Sequence, residues 1–514
     1  MKDMEQKKRK QMRQNQPDKT LMIVPLALVA AFSIWFILDP QKSLTVLNDF
    51  SNRFVLKFDW LFMGFAVAML FISLWWAFSK RGSMVMGEPG ARAQYSFASY
   101  VVILFCAGMA AGSCIFSMIE WAYYYAAPPF GIEAYSLEAM EMSLPYNFYH
   151  WGVGVAALNM LLAIPYCYSY YIRKNKTLRL GDIAGLMIGN PKYKNVVIKL
   201  VNIIFIICVL GSLSCTLGLG IPNISKCIQA LTGIDNTMAM NVCGIVVISV
   251  IFSFSSYLGI AKGLKKLSTI NVIWCGVFLA IMLVTGPTTF IIKNTLHSLG
   301  LLAAYFPRMA LNLDPIFESG FAQNWTVFFY CYAWGFVAMT AVVTVKISRG
   351  RTFREMILGN IIGVPAGLVV MMGINNSTSI KMQLDGTLDV AGLVMTEGNH
   401  AAIVEILGHT VLGPTVGVIA FVVMIILFIA TTMDGASLAL ASTTVEGLSE
   451  EEEPKPVIRL LWCLILAAIP LVLTAIGAGL ESLQALVNVI GWPIMVVGTF
   501  VLYKTFVWAK EDGY

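Results

Sequence analysis

Long apolar stretches dominate the sequence and recur along almost its whole length. A membrane-spanning helix needs about 20 apolar residues to cross ~30 Å of hydrocarbon, and about twelve stretches of this chain are long enough or nearly so. They begin near Leu21, Trp60, Phe97, Leu144, Val196, Ala239, Ile270, Trp325, Met356, Val411, Val457 and Leu483. Of the 514 residues, 58% are apolar and only 12% are charged, which is too few charges to shield so many apolar side chains from water. The sequence therefore predicts an all-α polytopic membrane protein with twelve transmembrane helices, and it excludes secreted, fibrous, disordered and nucleic-acid-binding classes.

Lysine and arginine concentrate in every second connection between the predicted spans. Lys80, Arg81 and Arg92 follow the second span. Arg173, Lys174, Lys176 and Arg179 follow the fourth, and Lys346, Arg349, Arg351 and Arg354 follow the eighth. By contrast, residues 119–171 contain four Glu and no Lys or Arg. Because cytoplasmic loops carry the excess of positive charge, this alternation predicts a multi-pass protein of the cell membrane with both termini in the cytoplasm. The net charge of +6 is then an orientation signal and not a binding site for a polyanion.

The polar remainder of the chain is short. Residues 1–20 predict a cytoplasmic tail, residues 21–508 a transmembrane domain and residues 509–514 a second tail. Residues 295–309 carry His297 and Arg308 and suit an interfacial amphipathic helix better than a span. The ten cysteines lie mostly in apolar runs without a C-x-x-C pair, which predicts small buried side chains and no disulfide framework. Recognition must therefore come from within the helix bundle or from its connections.

Two of the predicted spans contain residues that weaken a helix. The third carries Gly108 and Gly112, and a helical glycine costs ~1 kcal/mol relative to alanine. Two interpretations remain open for this pair: close packing through small residues, or local unwinding that frees carbonyls to bind an ion or a substrate. The tenth span ends in Thr431, Thr432 and Asp434, which offer hydroxyl and carboxylate oxygens of the kind that a sodium ion could use. The same residues are also consistent with hydroxyls bonded to the preceding turn and with a charge at a helix end.

Aromatic residues concentrate in three clusters around these spans. The clusters are Trp121 with Tyr123, Tyr124 and Tyr125; Tyr146 with Phe148, Tyr149, His150 and Trp151; and Phe328 with Phe329, Tyr330, Tyr332, Trp334 and Phe336. Membrane-interface belts explain many such residues, but an aromatic box also binds a quaternary ammonium ion through cation–π attraction of ~2 kcal/mol or more. His150 is either a proton relay or a hydrogen-bonded structural residue. The sequence contains no P-loop, H-E-x-x-H or potassium-filter pattern, which excludes the ATP-driven, metalloprotease and channel classes that those patterns mark.

Several motifs together resemble the betaine/choline/carnitine transporter family. The strongest match consists of two motifs at the spacing of the family. The first is Asn324-Trp325-Thr326-Val327-Phe328, and the second is Lys346-Ile347-Ser348-Arg349-Gly350-Arg351-Thr352-Phe353-Arg354-Glu355. Supporting motifs are Glu120 with Tyr123 and Tyr124, Pro128-Pro129-Phe130-Gly131, His150-Trp151-Gly152 and the glycines of the third span. The order of the spans matches over essentially the whole chain. This resemblance implies a secondary transporter and not an enzyme.

The resemblance also implies a fold and a set of site residues. Two extra helices precede an inverted repeat of five plus five helices of the LeuT-like type, with the first repeat at about 97–290 and the second at about 325–508, and the chain assembles as a homotrimer. The substrate is a quaternary-ammonium or zwitterionic solute of the betaine, carnitine, choline or butyrobetaine type, which binds near the midplane and crosses by alternating access. The implied substrate-binding residues are Met109, Ala110, Tyr123, Trp151, Asn159, Tyr332, Trp334, Phe336 and Met339.

Two departures from the family pattern change the predicted pocket. The eighth span of the family usually reads W-x-W-W, whereas this chain has Tyr330-Cys331-Tyr332-Ala333. The fourth span has Ala156 and Asn159 where related proteins place a second Trp and a Tyr. Because the box has lost aromatic faces and gained space and polarity, we expect a ligand that is bulkier or more polar than glycine betaine.

The resemblance further favours sodium symport, with sodium as the coupling ion and no other cofactor. Sodium-independent carnitine exchangers of the family place an Arg side chain in the seventh span, where this chain has Asn271, and they lack the paired hydroxyls that this chain keeps. The implied sodium ligands are Cys106, Met109, Phe428, Thr431 and Thr432, partly through backbone carbonyls. Two alternatives remain open: a sodium-independent substrate/product antiporter of the carnitine/butyrobetaine type, and a membrane receptor that binds its ligand without transport. Only residues 507–514 follow the last span, which favours uptake of a nutrient or precursor over osmotic sensing.

Overall fold

The computed structural model describes residues 17–108, 110–188, 190–235, 238–259, 263–448, 452–475 and 480–514. Helices make up nearly all the regular structure in these residues, and the extended backbone among them forms two isolated β-bridges. The bridges pair Pro17 with Val445 and Val85 with Thr352, so they link segments that are far apart in the sequence. The all-α fold class predicted from the sequence is confirmed.

The helices follow one another through mostly short connections. In chain order they are α1 (Lys19–Leu38), α2 (Pro40–Phe78), α3 (Phe97–Gly108), α4 (Ala110–Ala126), α5 (Leu137–Trp151), α6 (Val153–Leu158), α7 (Met160–Cys167), α8 (Leu180–Leu186), α9 (Pro191–Thr232), α10 (Met238–Gly259), α11 (Lys265–Thr285), α12 (Thr288–Ala310), α13 (Phe328–Ile347), α14 (Phe353–Leu358), α15 (Val364–Leu384), α16 (Val390–Thr396), α17 (Asn399–Gly408), α18 (Gly413–Thr444), α19 (Pro456–Ala475) and α20 (Leu480–Glu511). A 3₁₀ turn, Lys80–Ser83, follows α2. π-helical turns continue α7 over Tyr168–Ile172, precede α13 over Ala322–Val327 and join α14 to α15 over Gly359–Gly363.

Ten helical stretches of the described residues are long and apolar enough to cross a membrane, and the bent pair α3–α4 makes eleven. The predicted eleventh span corresponds to α19, whose apolar part, Pro456–Val472, is shorter than the other spans. Helix α12 covers the segment that was expected to be interfacial, and it is not among the ten. The chain is therefore a polytopic membrane protein.

Two of the spans lie at the centre of the bundle. In residues 322–347 the most apolar stretch is entirely buried. In residues 137–172 the most apolar stretch is 94% buried. By contrast, only 17% of the corresponding stretch of α1 is buried, so most of α1 lies on the outside of the bundle. Lipid is as apolar as leucine, so burial in this bundle reflects specific packing between helices and not escape from water. Helices α5 to α7 and α13 therefore form the interior in which a binding site can lie.

The third predicted span is interrupted. Its two halves differ in direction by 72°, and Met109, at the bend, lies outside the described residues. The flanking glycines also make close contacts, because a Cβ on Gly108 would lie 2.8 Å from Cγ2 of Thr340 and one on Gly112 would lie 3.2 Å from the ring of Trp151. Close packing, one of the two interpretations left open by the sequence, thus occurs beside a bend of the span.

The fourth predicted span is interrupted twice, at Gly152 between α5 and α6 and at Asn159 between α6 and α7. A Cβ on Gly152 would approach the carbonyl oxygen of Phe148 to 2.1 Å, so glycine alone fits this position. The first interruption leaves Trp151 as the last residue of α5. Two of the residues expected to bind substrate, Trp151 and Asn159, therefore lie at breaks in the helix.

The tenth predicted span does not end near Asp434, which is a correction to the sequence analysis. Helix α18 continues through this residue to Thr444. Asp434 is fully buried and pairs with Arg459 of α19, so it is not a charge at an exposed helix end. The hydroxyls of Thr431 and Thr432 donate to the carbonyl of Phe428, at 2.9 and 3.0 Å. Both hydroxyls are therefore bonded to the preceding turn of the helix, which is one of the interpretations left open by the sequence.

The cysteines are dispersed through the bundle. All ten lie in the described ranges and are free, and all but Cys243 are buried. The prediction of small buried side chains is confirmed for the other nine.

Candidate substrate and ion sites

A narrow cavity lies between the end of α3, the broken helices α5 to α7 and the first half of α13. Its walls are Gly108, Trp151, Val155, Asn159, Phe329, Tyr332, Ala333 and Phe336. Among these described residues, four are aromatic and none is charged. The volume, about 10 Å³, is room for about one water molecule. Binding of a larger solute therefore requires the aromatic side chains to move apart.

The aromatic rings of the cavity meet at steep angles. The rings of Trp151 and Phe329 lie edge to face, with centroids 5.1 Å apart and planes at 73°. Those of Tyr332 and Phe336 lie 5.0 Å apart at 61°. The face of each ring attracts a cation within about 6 Å of its centroid. The two pairs therefore offer electron-rich faces to a cation that brings its own charge into a neutral site.

Contacts from other helices hold two of the aromatic walls in place. Nε1 of Trp151 donates to Glu120 of α4 at 2.6 Å. The hydroxyl of Tyr332 lies 2.5 Å from Oγ1 of Thr216 on α9. Gly112 leaves space for both side chains, because a Cβ there would lie 3.2 Å from Trp151 and 3.4 Å from the Tyr332 hydroxyl. The positions of these two rings therefore depend on α4 and α9 as well as on their own helices.

Asn159 is the polar wall of the cavity. Its Oδ1 lies 3.2 Å from the hydroxyl of Thr340, which also donates to the carbonyl of Phe336 at 2.7 Å. An amide side chain carries two N–H donors in addition to its oxygen. The Nδ2 group of Asn159 is thus a donor to which a carboxylate or hydroxyl of a bound solute could bond.

Helical periodicity explains which residues reach the cavity. Residues three or four apart share one face of a helix. The walls follow this spacing, with Trp151, Val155 and Asn159 on α5 to α7 and Phe329, Tyr332, Ala333 and Phe336 on α13. Sequence reasoning did not select Val155 and Phe329 as site residues, although their spacing from Trp151 and Tyr332 points to them, and it noted Ala333 only as a departure from the family pattern.

Trp334 and Met339 were expected to bind substrate but lie on other faces of α13. The ring of Trp334 packs edge to face against Phe65 of α2, with centroids 5.7 Å apart. Sδ of Met339 lies near Gly435 of α18, 3.7 Å from where a Cβ on that glycine would stand. Both side chains therefore pack between helices outside the cavity.

Tyr123 was also expected to bind substrate, and it is not among the described walls of the cavity. The hydroxyl of Tyr123 donates to Oδ1 of Asn399, at the start of α17, at 2.7 Å. Ala110 is the first residue of α4, next to the bend. Met109, which was expected to bind both substrate and sodium, lies outside the described residues.

Oxygen atoms from two helices converge beside the end of α3. Oγ1 of Thr432 lies 3.5 Å from the carbonyl oxygen of Cys106. Nδ2 of Asn271, on α11, donates to Oγ1 of Thr431 at 3.4 Å. These four residues and Phe428 are fully buried. The structure thus brings the described members of the expected sodium-ligand set together and adds Asn271 to them.

The donor chemistry of this cluster, which we call the oxygen cluster, suits a hard monovalent cation. The carbonyl of Cys106 belongs to the last turn of α3, and interrupted membrane helices coordinate sodium through such carbonyls. A threonine hydroxyl that donates its proton retains lone pairs for a cation. Oδ1 of Asn271 and Oγ of Ser268 are buried without a hydrogen-bond partner among the described residues. Throughout the described residues, no group of three or more His, Cys, Asp or Glu side chains is placed to hold a metal ion.

Sequence comparisons identify the proteins that this chain resembles. A family model described as betaine/carnitine/choline family transporter matches residues 20–514. A carnitine transporter of Acinetobacter baumannii is 30% identical over 495 residues, which cover 96% of this chain and 89% of that protein. The uncharacterised transporter YeaV of Escherichia coli is 31% identical over 438 residues, which cover 85% of this chain and 90% of that protein.

A comparison with solved structures supports the fold. A Na⁺-coupled sialic acid symporter in a substrate-bound, outward-open state matches this chain with a TM-score of 0.51, at 13% identity. The match covers 87% of this chain and 85% of the symporter. Because the family model covers nearly the whole chain, the protein is a multi-pass membrane transporter and not an enzyme, and it is a secondary transporter of betaine-, carnitine- or choline-type solutes. With the family model matching nearly its whole length, the chain belongs to the betaine/carnitine/choline family of transporters.

Proposed function

We propose that this protein is a sodium-coupled symporter of a quaternary-ammonium or zwitterionic solute, with carnitine and butyrobetaine as the first candidates. The sodium part is carried by the convergence of the Cys106 carbonyl, the hydroxyls of Thr431 and Thr432 and the amide of Asn271 at one buried place. The solute part rests on a cavity whose described walls are aromatic or neutral. The similarity to a carnitine transporter supports this class of solute.

The proposal includes the architecture that alternating access requires. Twelve spans form two inverted repeats, at about 97–290 and about 325–508, after two leading helices, and three copies of the chain assemble as a trimer. The small buried fraction of α1 supports its place outside the repeats. The basic connections support an orientation with both termini in the cytoplasm.

The walls that depart from the family pattern favour a solute larger or more polar than glycine betaine. Ala333 lies on the cavity where the family usually has Trp, so one ring face is missing there. Tyr330 does not replace it, because its hydroxyl lies 2.5 Å from that of Tyr149, away from the cavity. Asn159 adds an amide to the walls. A solute with a longer chain, a carboxylate or a hydroxyl would fill this space and bond to the amide.

Helix α3 connects the two sites. Cys106, in the oxygen cluster, and Gly108, in the cavity wall, both lie in its last turn and therefore move together. A sodium ion bound between Cys106 and Thr432 would hold α3 against α18 and fix the wall at Gly108. Sodium then raises the affinity for the solute, and by thermodynamic reciprocity the solute raises the affinity for sodium by the same factor.

A binding panel on the purified protein tests this function. Calorimetric titrations with glycine betaine, choline, carnitine and butyrobetaine are run in sodium chloride and in potassium chloride at the same ionic strength. We expect carnitine or butyrobetaine to bind most tightly, and more tightly in sodium. Tightest binding of glycine betaine would contradict the solute assignment, and equal affinity in both salts would favour the sodium-independent antiporter.

Replacing Trp151 by leucine is expected to weaken binding of carnitine by ~30-fold. A desolvated cation–π contact contributes ~2 kcal/mol, and each 1.4 kcal/mol corresponds to about a tenfold change in affinity. Trp151→Phe keeps a ring face and should lose less, while Trp60→Leu, on an exposed part of α2, should leave the dissociation constant unchanged. Equal losses for the leucine and phenylalanine variants of Trp151, measured by calorimetry, would argue against a role for the ring face.

Replacing Gly112 by leucine is expected to lower the affinity for carnitine by ~5-fold or more, because the new side chain would displace Trp151 and Tyr332. Overpacking of this kind costs about 1–3 kcal/mol. Gly276→Leu on α11 is the matched control, since a Cβ there meets no atom within 4 Å. Similar carnitine affinities for the two variants in the same calorimetric assay would contradict the proposed packing of the cavity.

A further inference from the structure

Glu120 is a buried carboxylate without a cationic partner. It lies in α4 and is fully buried. Oε1 bonds to the hydroxyl of Tyr124, and Oε2 accepts from Nε1 of Trp151 at 2.6 Å. Among the described residues, no Lys, Arg or His lies within ion-pair distance of this carboxylate. Such a group is costly to keep ionised inside a membrane protein, and its presence there indicates a function.

A chain of hydrogen bonds leads away from Glu120 toward α13. The hydroxyl of Tyr124 lies 2.7 Å from Nδ1 of His150, and Nε2 of His150 lies 2.9 Å from Oγ1 of Thr326. We call these four side chains the Glu120 relay. The ring of Phe329 stacks on His150, with centroids 4.8 Å apart and planes at 15°, and the same ring is a wall of the cavity. The relay therefore lies directly behind two walls of the substrate cavity, Phe329 and the tryptophan bonded to Glu120.

The Glu120 relay is fully hydrogen-bonded in two proton arrangements. With Glu120 ionised, Tyr124 donates to the carboxylate, Nδ1–H of His150 donates to Tyr124, and Thr326 donates to Nε2 of His150. One further proton can be taken up at Nε2 of His150, after which the Nδ1 proton passes to Tyr124 and the Tyr124 proton passes to Glu120. The acid then donates to Tyr124, Tyr124 to Nδ1, and Nε2–H to Thr326. Only Glu120 differs in charge between the two arrangements.

The surroundings of the relay contribute few competing charges. From α5 the titratable side chains beside His150 are Tyr146 and Tyr149, and from α13 Tyr330 reaches the hydroxyl of Tyr149. Tyrosines are neutral at physiological pH. Helices α3, α9, α15, α16, α17 and α18 also pack against α4, and their described residues bring no Lys, Arg, Asp or second Glu to Glu120. Arg308 and Asp314 act on Tyr146 from outside the relay, so among the four relay side chains only Glu120 changes the charge with its proton.

We propose that Glu120 is a proton-binding site of the transport cycle, loaded and unloaded through Tyr124, His150 and Thr326. The proton occupies Glu120 when the cavity is empty and leaves when the solute binds. The identity of the solute rests on the function proposed above, whereas the proton site itself does not depend on that function.

The shared tryptophan gives the direction of this coupling. A quaternary ammonium on the face of Trp151 is attracted by a carboxylate bonded to the edge of the same ring, so it favours ionised Glu120. Binding of solute and binding of the proton therefore oppose each other, and by linkage solute binding releases a proton. In the empty carrier, protonated Glu120 leaves no uncompensated buried charge while the helices rearrange.

Infrared difference spectroscopy on the purified protein tests the site directly. When carnitine is added in sodium buffer, we expect the wild type to lose the carbonyl band of a protonated carboxylic acid while a pH-sensitive dye reports proton release. Both signals should be absent in Glu120→Gln and retained in Glu133→Gln, which changes an exposed glutamate. Persistence of both signals in Glu120→Gln, or carnitine binding by the wild type without proton release, would overturn the proposal.

The pH dependence of affinity separates a proton site from a structural role. Over the range in which Glu120 titrates, wild-type affinity for carnitine should rise by up to ~tenfold per pH unit. Glu120→Gln should show the weak, low-pH affinity at every pH. Tyr124→Phe interrupts the relay but keeps the carboxyl group, so it should slow proton release in stopped-flow measurements while the equilibrium pH dependence remains. Parallel pH profiles for the wild type and Glu120→Gln would contradict the proposal.

A titration without solute distinguishes failure of this proposal from failure of the proposed function. In buffer free of sodium and carnitine, the carboxylic acid band should titrate with pH in the wild type and be missing in Glu120→Gln. If this band titrates but carnitine does not bind, the solute assignment is wrong and the proton site stands. If no titrating band depends on Glu120, the proton site is wrong whatever the solute proves to be.

Discussion

Joint replacement of Thr431 and Thr432 by valine is expected to raise the sodium concentration needed for half-maximal uptake by ~100-fold or more. The two hydroxyls lie beside the Cys106 carbonyl and the Asn271 amide, and valine keeps their shape without an oxygen. A polar contact to a charged group contributes about 1.5–3 kcal/mol, so loss of two gives at least ~3 kcal/mol. Sodium titrations of uptake by reconstituted protein measure the effect.

A threonine elsewhere on α18 is the matched control for this experiment. Thr443 is buried and donates to the carbonyl of Ala439 at 2.9 Å, so it has the same bond to the preceding turn as the paired threonines. Thr443→Val should leave the sodium dependence unchanged. If the variant with both Thr431 and Thr432 replaced folds normally and keeps the sodium dependence of the wild type, the oxygen cluster is excluded as the coupling site.

Replacing Arg459 by methionine is expected to destabilise the folded protein by ~3–5 kcal/mol. The carboxylate of Asp434 is fully buried and bonds to Arg459, Ser255 and Ser256, the last at 2.6 Å, and Arg459 also bonds to Glu453 at 2.9 Å. Removing the guanidinium leaves the Asp434 carboxylate without its counter-ion among helices α10, α18 and α19. Breaking a buried pair by removing one partner costs about this much. Thermal unfolding in detergent, followed by size-exclusion chromatography, measures the loss.

Two further variants test the physical reason for this loss. Arg53 pairs with Asp49 across 3.9 Å at an exposed position, so Arg53→Met should change stability by less than ~1 kcal/mol. Replacing both Asp434 and Arg459 by apolar residues should restore most of the stability, because no buried charge is then unpaired. Equal melting temperatures for Arg459→Met and Arg53→Met would contradict the importance of the buried pair.

The spans could be predicted from the sequence because apolar length is a local property of the chain. The bend of the third span could also be anticipated, since Gly108 and Gly112 weaken a helix without reference to its neighbours. The continuation of α18 through Asp434 could not. A carboxylate within an apolar helix looks like a terminus until its partner is known, and Arg459 lies 25 residues further along the chain, on another helix.

The cavity could be predicted only in part. Trp151, Asn159, Tyr332 and Phe336 line it, and the family resemblance selected all four. The same resemblance also selected Trp334, two positions from Tyr332, which the helical rotation directs to another face. Strict use of helical spacing from Tyr332 would have selected Phe329 and Ala333, which line the cavity.

The Glu120 relay shows what sequence alone could not supply. Glu120 and His150 were noted separately, one within a family motif and the other as either a relay or a structural residue. Their connection runs through Tyr124 and ends at Thr326, which is 176 residues from His150 in the sequence. No periodicity or spacing links these segments, because the contact depends on how α4, α5 and the π-helical turn before α13 pack together.

Uptake of radiolabelled carnitine into proteoliposomes tests the central claim most directly. The protein is reconstituted, and an inward sodium gradient is compared with an equal potassium gradient and with a sodium gradient collapsed by an ionophore. We predict accumulation above the external concentration only with the intact sodium gradient. The same uptake in all three conditions, or counterflow of carnitine in the absence of sodium, would contradict sodium-coupled symport.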